Sequence, residues 1–217
     1  MIDVVGLLDR HAPWHPCAAV PALSAWHAGD EVALWEQLER AAGTAIGVPY
    51  FAIPWPSAQA VARALLDGRI EVRGRRVADV GCGSGLVACA ASLAGAAEVL
   101  ALDVDPLAVT AAAELARRHR AQVTARVLDP LEAPDAIAAD LVLCADLVSR
   151  AAQAAPFARA IAAWRARGVG VFLADSGRPF FEPQGLPLAF TTEVPTSSPV
   201  DGAGTRVVRV YGDFALR

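Results

Sequence analysis

Lysine is absent from this chain: all nineteen basic residues are arginine, and Met1 is the only methionine. Both scarcities read as coding bias rather than function. The arginines do not make the chain basic, because the formal net charge is -4, which leaves no global attraction to nucleic acid. Their clusters, Arg73, Arg75, Arg76 and Arg117, Arg118, Arg120, fall at predicted element ends, where solvated charge is expected. The four cysteines, Cys17, Cys82, Cys89 and Cys144, lack Cys-x-x-Cys spacing, which argues against a disulfide framework or a zinc site. The string His11, His15, Cys17 is interrupted by Pro13 and Pro16 in what reads as irregular chain, so no metal is expected. Met1 to Arg10 has no basic n-region, and no apolar run approaches the roughly 18 residues that span a membrane. The expectation is a cytoplasmic protein with no membrane or nucleic-acid partner.

What is present is enough for one sizeable core: 217 residues, 55% of them hydrophobic. The most informative stretch is Val77-Ala78-Asp79-Val80-Gly81-Cys82-Gly83-Ser84-Gly85, an apolar strand ending in Gly-x-Gly-x-Gly. Glycines without a Cβ let a ligand approach the backbone, and the Ala-rich segment from Leu86 to Gly95 is helical, so its first amides point at that ligand. A dinucleotide loop, Gly-x-Gly-x-x-Gly, would put its third glycine at Leu86, and the Gly-Lys-Ser/Thr of a P-loop is missing. A cofactor without a pyrophosphate remains. The next strand runs through Glu98 to Leu102 into Asp103-Val104-Asp105-Pro106. One βαβ crossover therefore brings Asp103 beside the glycine loop, on the sheet edge where open α/β proteins bind ligands, and its carboxylate can hold two ribose hydroxyls.

Along the chain, residues 1–48 read as an N-terminal helical extension and residues 49–217 as the main domain. The extension carries a helix around Glu31 to Arg40 whose Val32, Leu34, Trp35 and Leu38 mostly share a face, ended by Gly43 and Gly47. The prolines of Pro49 to Pro56 forbid a helix there, and one follows from Ser57 to Leu66. Strands are predicted at 76–80, 98–102, 122–127, 140–145 and 169–174, with helices at 85–95, 106–119 and 151–167 between them. Leu188 to Val194 and Thr205 to Tyr211 read as a closing antiparallel pair. The expected fold is α/β: a doubly wound, Rossmann-like seven-stranded sheet, mostly parallel with an antiparallel C-terminal strand and helices on both faces.

With Asp79, Gly81, Gly83, Gly85 and Asp103 in these places, the chain resembles the class I, seven-strand S-adenosylmethionine-dependent methyltransferases from about Pro49 onward. Pro49-Tyr50-Phe51-Ala52, Trp55-Pro56 and the turn Asp175-Ser176-Gly177-Arg178 are similar to a branch that includes the electron-transfer-flavoprotein β-subunit lysine methyltransferase and nicotinamide N-methylase-like proteins. The resemblance implies S-adenosylmethionine as cofactor, held by Trp55, Asp79, Gly81, Cys82, Gly83, Gly85, Asp103, Val104 and Ala145. Asp129, after the third strand, is placed either to accept from an adenine amino group or, before Pro130, to open a turn; Glu132 is a weaker candidate.

A sulfonium methyl is already activated, so transfer to an amine needs in-line placement, and a carboxylate near the acceptor nitrogen assists. Asp146, just beyond the fourth strand, is the residue expected to do this. Lysine-modifying relatives tend to read Asp-x-x-Tyr here, whereas this chain has Asp146-Leu147-Val148-Ser149. The resulting expectation is an N-methyltransferase acting on protein lysine, with the electron-transfer flavoprotein β-subunit as the implied partner. The alternatives are a small amine as acceptor, or a cofactor-binding partner protein without turnover.

Overall fold

A computed structural model describes residues 2–196 and 204–213. The stretch that reads as irregular at the N-terminus is ordered. Helix α1 (Val4–His11) is capped by Asp3, whose carboxylate accepts from the Gly6 N–H at 2.9 Å, and an antiparallel hairpin follows, β1 (Trp14–Cys17) with β2 (Val20–Trp26). The prolines that argued against structure are tolerated because both strands of a two-stranded sheet are edges, where a missing N–H need not break a ladder. Trp14 packs edge-on against Trp26 at 4.8 Å, and the Trp26 indole donates to Asp9 at 2.8 Å. Helix α2 (Glu31–Ala42) starts at the Asp30 cap and ends at Gly43, whose φ of +69° is the left-handed conformation that glycine adopts cheaply. Leu34 and Leu38 are buried, but Val32 lies on the outer side at 64% exposure, which corrects its placement on the apolar face.

Helix α3 (Pro56–Leu66) begins with proline at its first position, where no amide hydrogen is needed. The alternating elements come next: β3 (Arg76–Val80), α4 (Leu86–Leu93), β4 (Glu98–Asp103), α5 (Pro106–Arg118), β5 (Thr124–Val127), β6 (Leu141–Ala145), α6 (Ala151–Ala166) and β7 (Gly170–Asp175). A hairpin of β8 (Leu188–Thr196) and β9 (Gly204–Asp213) closes the sheet. The strand order is β5-β4-β3-β6-β7-β9-β8, with the first five parallel and β9 antiparallel to β7. The expected seven-stranded Rossmann-like sheet is thus present, and its order reverses between β3 and β6.

Alternating side chains feed two cores. Val77, Leu141 and Leu143 join Ala60, Leu65, Leu86 and Leu115 of α3, α4 and α5 on one face, while Ala78, Val142 and Cys144 join Phe157, Ile161 and Trp164 of α6 on the other. The first core also takes in Leu8, Leu23, Trp26 and Leu34, so the N-terminal segment packs continuously against the helices of the sheet. An ion pair of 2.7 Å between Asp9 and Arg118 fastens α1 to α5, and the Arg118 guanidinium holds the Asp9 carboxyl below its usual range. No helix among the described residues is long and apolar enough to cross a membrane.

Candidate cofactor and acceptor site

The carboxyl ends of β3, β4 and β6 carry the predicted cluster. Gly81, Gly83 and Gly85 all have positive φ, at +68°, +50° and +81°, but a side chain at each would meet something different. A Cβ on Gly81 would collide with the Leu147 side chain, and one on Gly85 would approach the Cβ and Cα of Ala112 to 2.7 and 2.8 Å, so that glycine lets α4 pack against α5. At Gly83 the nearest atom is the Phe51 Cα at 3.9 Å. A Cβ there would make only an ordinary van der Waals contact, so packing within the fold does not require glycine at this position.

Two carboxylates frame the loop. Asp79 is buried and accepts from the Ala88 N–H in the first turn of α4 at 3.0 Å. Burial pushes its carboxyl up to about 7, the hydrogen bond from Ala88 acts against that, and the charge of Asp103 adds to it. Asp103, half-buried, accepts from the Gly83 N–H at 3.0 Å through one oxygen and from the Asp105 N–H at 3.0 Å through the other. A carboxylate has about four lone-pair sites, so each oxygen retains capacity for a hydroxyl. Val104 is 60% exposed, and Val127, which pairs with Asp103 across the β4–β5 ladder, is 56% exposed. Two apolar side chains therefore stand beside the acidic group, a setting suited to a nucleoside whose base is flat and whose ribose is polar. Sequence reasoning found Val104 but missed Val127, because the neighbour is set by strand register. Cys82 is buried, and burial raises its thiol well above the usual value, so it takes part in the loop through its backbone, donating its N–H to the Leu102 carbonyl at 3.0 Å. Asp129 is exposed two residues beyond β5, and its carboxylate accepts from the Leu131 N–H at 2.9 Å, opening the turn.

The acceptor side is built around Asp146. Its position after Ala145, which pairs with Ala174 at the end of β6, agrees with the sequence expectation, but its side chain turns inward and is only 4% exposed. One carboxylate oxygen accepts from the Ser57 N–H at 3.1 Å; the other accepts from the Ser176 N–H at 3.1 Å and the Ser176 hydroxyl at 2.8 Å, and lies 3.4 Å from the Arg178 Nε. The residue has φ +50°, a conformation aspartate tolerates better than most. One buried carboxylate thus joins the end of β6, the first turn of α3 and the turn after β7. Asp175 builds that turn, accepting from the Gly177 N–H at 2.7 Å and the Arg178 N–H at 3.1 Å.

Trp55 precedes α3 and stands within this assembly. Its indole donates to the Tyr50 carbonyl at 2.8 Å, the Arg178 guanidinium lies 4.9 Å from its ring centre, and the Tyr50 ring is 5.8 Å away. Ser149, at the position where lysine-modifying relatives tend to have tyrosine, donates its N–H to Gln153 at 3.0 Å and so starts α6. The Ser57 hydroxyl is fully buried and has no hydrogen-bond partner. An orphaned hydroxyl beside this wall, a left-handed glycine at 83 that no packing clash requires, and the carboxylate and valines at β4–β5 fit a cationic nucleoside cofactor. Tyr50 and Arg178 were legible only as members of the two motifs and Ser57 not at all as a site residue, since the folded contacts with Asp146 and Trp55 bring them here. Among the described residues no cluster of His, Cys, Asp and Glu is arranged to hold a metal ion.

Comparison with known proteins points the same way. Residues 61–162 match the family model described as ribosomal protein L11 methyltransferase (PrmA). The electron transfer flavoprotein beta subunit lysine methyltransferase of Danio rerio is 35% identical over 139 residues, 62% of this chain and 52% of that protein. Its namesake in Xenopus laevis is 56% identical over 62 residues, 29% of this chain and 25% of that protein. The matches thus span between a quarter and about half of these relatives. The crystal structure of magnesium protoporphyrin IX methyltransferase from Synechocystis, with bound S-adenosylmethionine, superimposes with a TM-score of 0.52 at 17% identity, covering 71% of this chain and 78% of that one. That likeness shows the fold alone, a Rossmann-like sheet.

Proposed function

We propose that this chain is an S-adenosylmethionine-dependent N-methyltransferase whose acceptor is a lysine side chain of a protein. The observation that carries the reading is the loop at Gly83: a left-handed glycine that no packing clash within the fold requires, tied to the Asp103 carboxylate and flanked by exposed Val104. In this reading Asp103 takes the ribose hydroxyls, Val104 and Val127 flank the adenine, and Asp129 stands near its amino group. Asp79 supplies negative charge beneath the loop, and the backbone of Gly81, Cys82 and Gly83 lies along the donor. The donor supplies a methyl group already activated by a positive sulfur.

The chain's own residues then have the task of presenting the acceptor nitrogen in line, because positioning rather than strong acid or base chemistry limits such a transfer. Asp146 serves that task indirectly. By accepting from Ser57 and Ser176 and pairing with Arg178 it fixes the start of α3, and with it Trp55, as a wall of the site. Asp146 is therefore a positioning residue in this account. Protein lysine is supported by the similarity to electron transfer flavoprotein beta subunit lysine methyltransferases, and that subunit is the first acceptor to try. A small amine is the second reading, favoured by Ser149, which leaves no aromatic side chain where lysine-modifying relatives tend to carry tyrosine.

The test is transfer of a labelled methyl group from S-adenosylmethionine into a lysate, with protein and small-molecule fractions separated and Asp103→Ala as the blank. Since the chain has no lysine, labelled methyl-lysine cannot come from the enzyme itself. Label recovered as methyl-lysine in a protein band supports the first reading, and label confined to small molecules supports the second. Folded protein that binds the donor and labels neither fraction refutes both.

A further inference from the structure

Behind the segment that carries Trp55 lies a cavity of about 240 Å³, outside the loop and strand ends described above. The β1–β2 hairpin forms one side of it with Pro13, His15 and His27, the segment before α3 forms another with Pro54 and Pro56, and Pro195 near the end of β8 contributes a third. His15 and His27 are stacked, with ring centres 3.7 Å apart and planes 26° from parallel. Among the described residues no Asp, Glu or Arg side chain lines the space. Its amide, from Gln59, is occupied at both ends, accepting from the Ala19 N–H at 3.0 Å and donating to the Pro54 carbonyl at 2.7 Å.

We propose that this cavity is a binding site for an uncharged planar ring, aromatic or heteroaromatic. The lining supplies ring faces, from a pair of imidazoles and four prolines, and among the described residues no oppositely charged carboxylate or guanidinium to pair with a charge. Burying an ammonium or a carboxylate among such groups is strongly unfavourable, whereas a further flat ring gains both apolar burial and offset stacking. An apolar cavity of about 150 Å³ accepts benzene, so this one has room for a bicyclic ring. His27 adds no charge at neutral pH, since burial and the nearby His15 hold it down to about 4. Pro54 and Pro56 flank Trp55 in the chain, so a ring seated against them bears directly on the wall of the acceptor side. The ring belongs either to a small molecule or to a polypeptide side chain, and the inference goes beyond the methyl-transfer reading without depending on it.

The experiment is a titration of the full chain, labelled with nitrogen-15 in its histidine rings, with indole, N-acetyltryptophanamide and n-butylammonium, read by magnetic resonance. Saturable shifts of His15 and His27 with indole, no such response to n-butylammonium, and an unmoved His119 are expected. Because His15 is exposed, His15→Ala leaves the cores intact; it should weaken indole binding by roughly three- to tenfold. The Asp103→Ala variant should bind indole as the parent does, which separates this site from the donor site. Binding of N-acetyltryptophanamide as well identifies a polypeptide as a competent source, and binding of indole alone identifies a small ring. An absent or non-saturating indole response, an equal response to n-butylammonium, or unchanged affinity in His15→Ala overturns the proposal.

Discussion

Removing the Asp146 carboxylate should cost the protein stability first and activity as a consequence. In Asp146→Ala the buried N–H groups of Ser57 and Ser176 lose their acceptor, and Arg178 loses the carboxylate 3.4 Å from its Nε. An unsatisfied buried donor costs about 1–3 kcal/mol, and breaking a buried ion pair from one side about 3–5 kcal/mol. These terms overlap, because the Ser176 hydroxyl can rotate and Arg178 remains partly exposed. Alanine is also less tolerant than aspartate of the +50° φ at this position. A total of roughly 3–5 kcal/mol follows, which for a chain of this size lowers the melting temperature by roughly 10 °C. Asp146→Asn keeps the conformational tolerance and one acceptor oxygen, so its loss should be about 1–2 kcal/mol. Thermal unfolding of the three proteins, followed by donor affinity at a temperature where all are folded, measures both effects. The account expects stability in the order parent, Asn, Ala, with donor affinity falling as Trp55 loosens. An Asp146→Ala protein that melts with the parent and binds donor equally, yet transfers no methyl group, would refute this reasoning and put the carboxylate in direct contact with the acceptor.

The glycine loop gives a paired contrast. Gly83→Ala places its Cβ at an ordinary contact distance from the Phe51 Cα and costs mainly the left-handed backbone strain of roughly 1–2 kcal/mol, so it should fold and lose donor affinity; Gly85→Ala adds an overlap with Ala112 worth roughly 1–3 kcal/mol more. Equal melting temperatures for the two, or full donor affinity in Gly83→Ala, would contradict the assignment of Gly83 to ligand contact and Gly85 to packing. Asp79 makes donor binding pH-dependent. Its folded carboxyl titrates at about 7 against an ordinary 3.8, so the folded protein holds a proton that the unfolded chain has released, and the stability from this group declines as pH rises from about 4 to about 7. A cationic donor prefers the ionised form, so affinity should fall by up to about tenfold per pH unit below that point, with proton release on binding in calorimetry at pH 6. Asp79→Asn should flatten the profile, and a flat profile in the parent would remove Asp79 from donor recognition.

The central sheet was legible because each buried parallel strand is a short apolar run bounded by turn residues, as in Val77 to Val80 before Gly81 or Leu141 to Ala145 before Asp146. The start of α3 lies one residue earlier than expected, at Pro56, whereas that of α5 at Pro106 falls where expected. The N-terminal hairpin was not legible, since Pro13 and Pro16 argue against strand locally and only the packing of Trp14 and Trp26 reveals it. Asp103 and the three glycines reached the expected edge because a single crossover fixes the distance between adjacent parallel strands. The direction of the Asp146 side chain was hidden, because it depends on a positive φ and on partners 89 and 30 residues away along the chain. Gly81 and Gly85 read as ligand contacts, yet their smallness also serves Leu147 and Ala112, residues that no local pattern connects to the loop.

Equilibrium binding of labelled S-adenosylmethionine to the parent and to Asp103→Ala, both shown to be folded, tests the central claim most directly. The account predicts saturable binding to the parent that is lost or greatly weakened in the variant at unchanged melting temperature. A folded parent that does not bind the donor, or a variant that binds it equally well, would contradict the claim that the loop over Gly83 and the Asp103 carboxylate form its site.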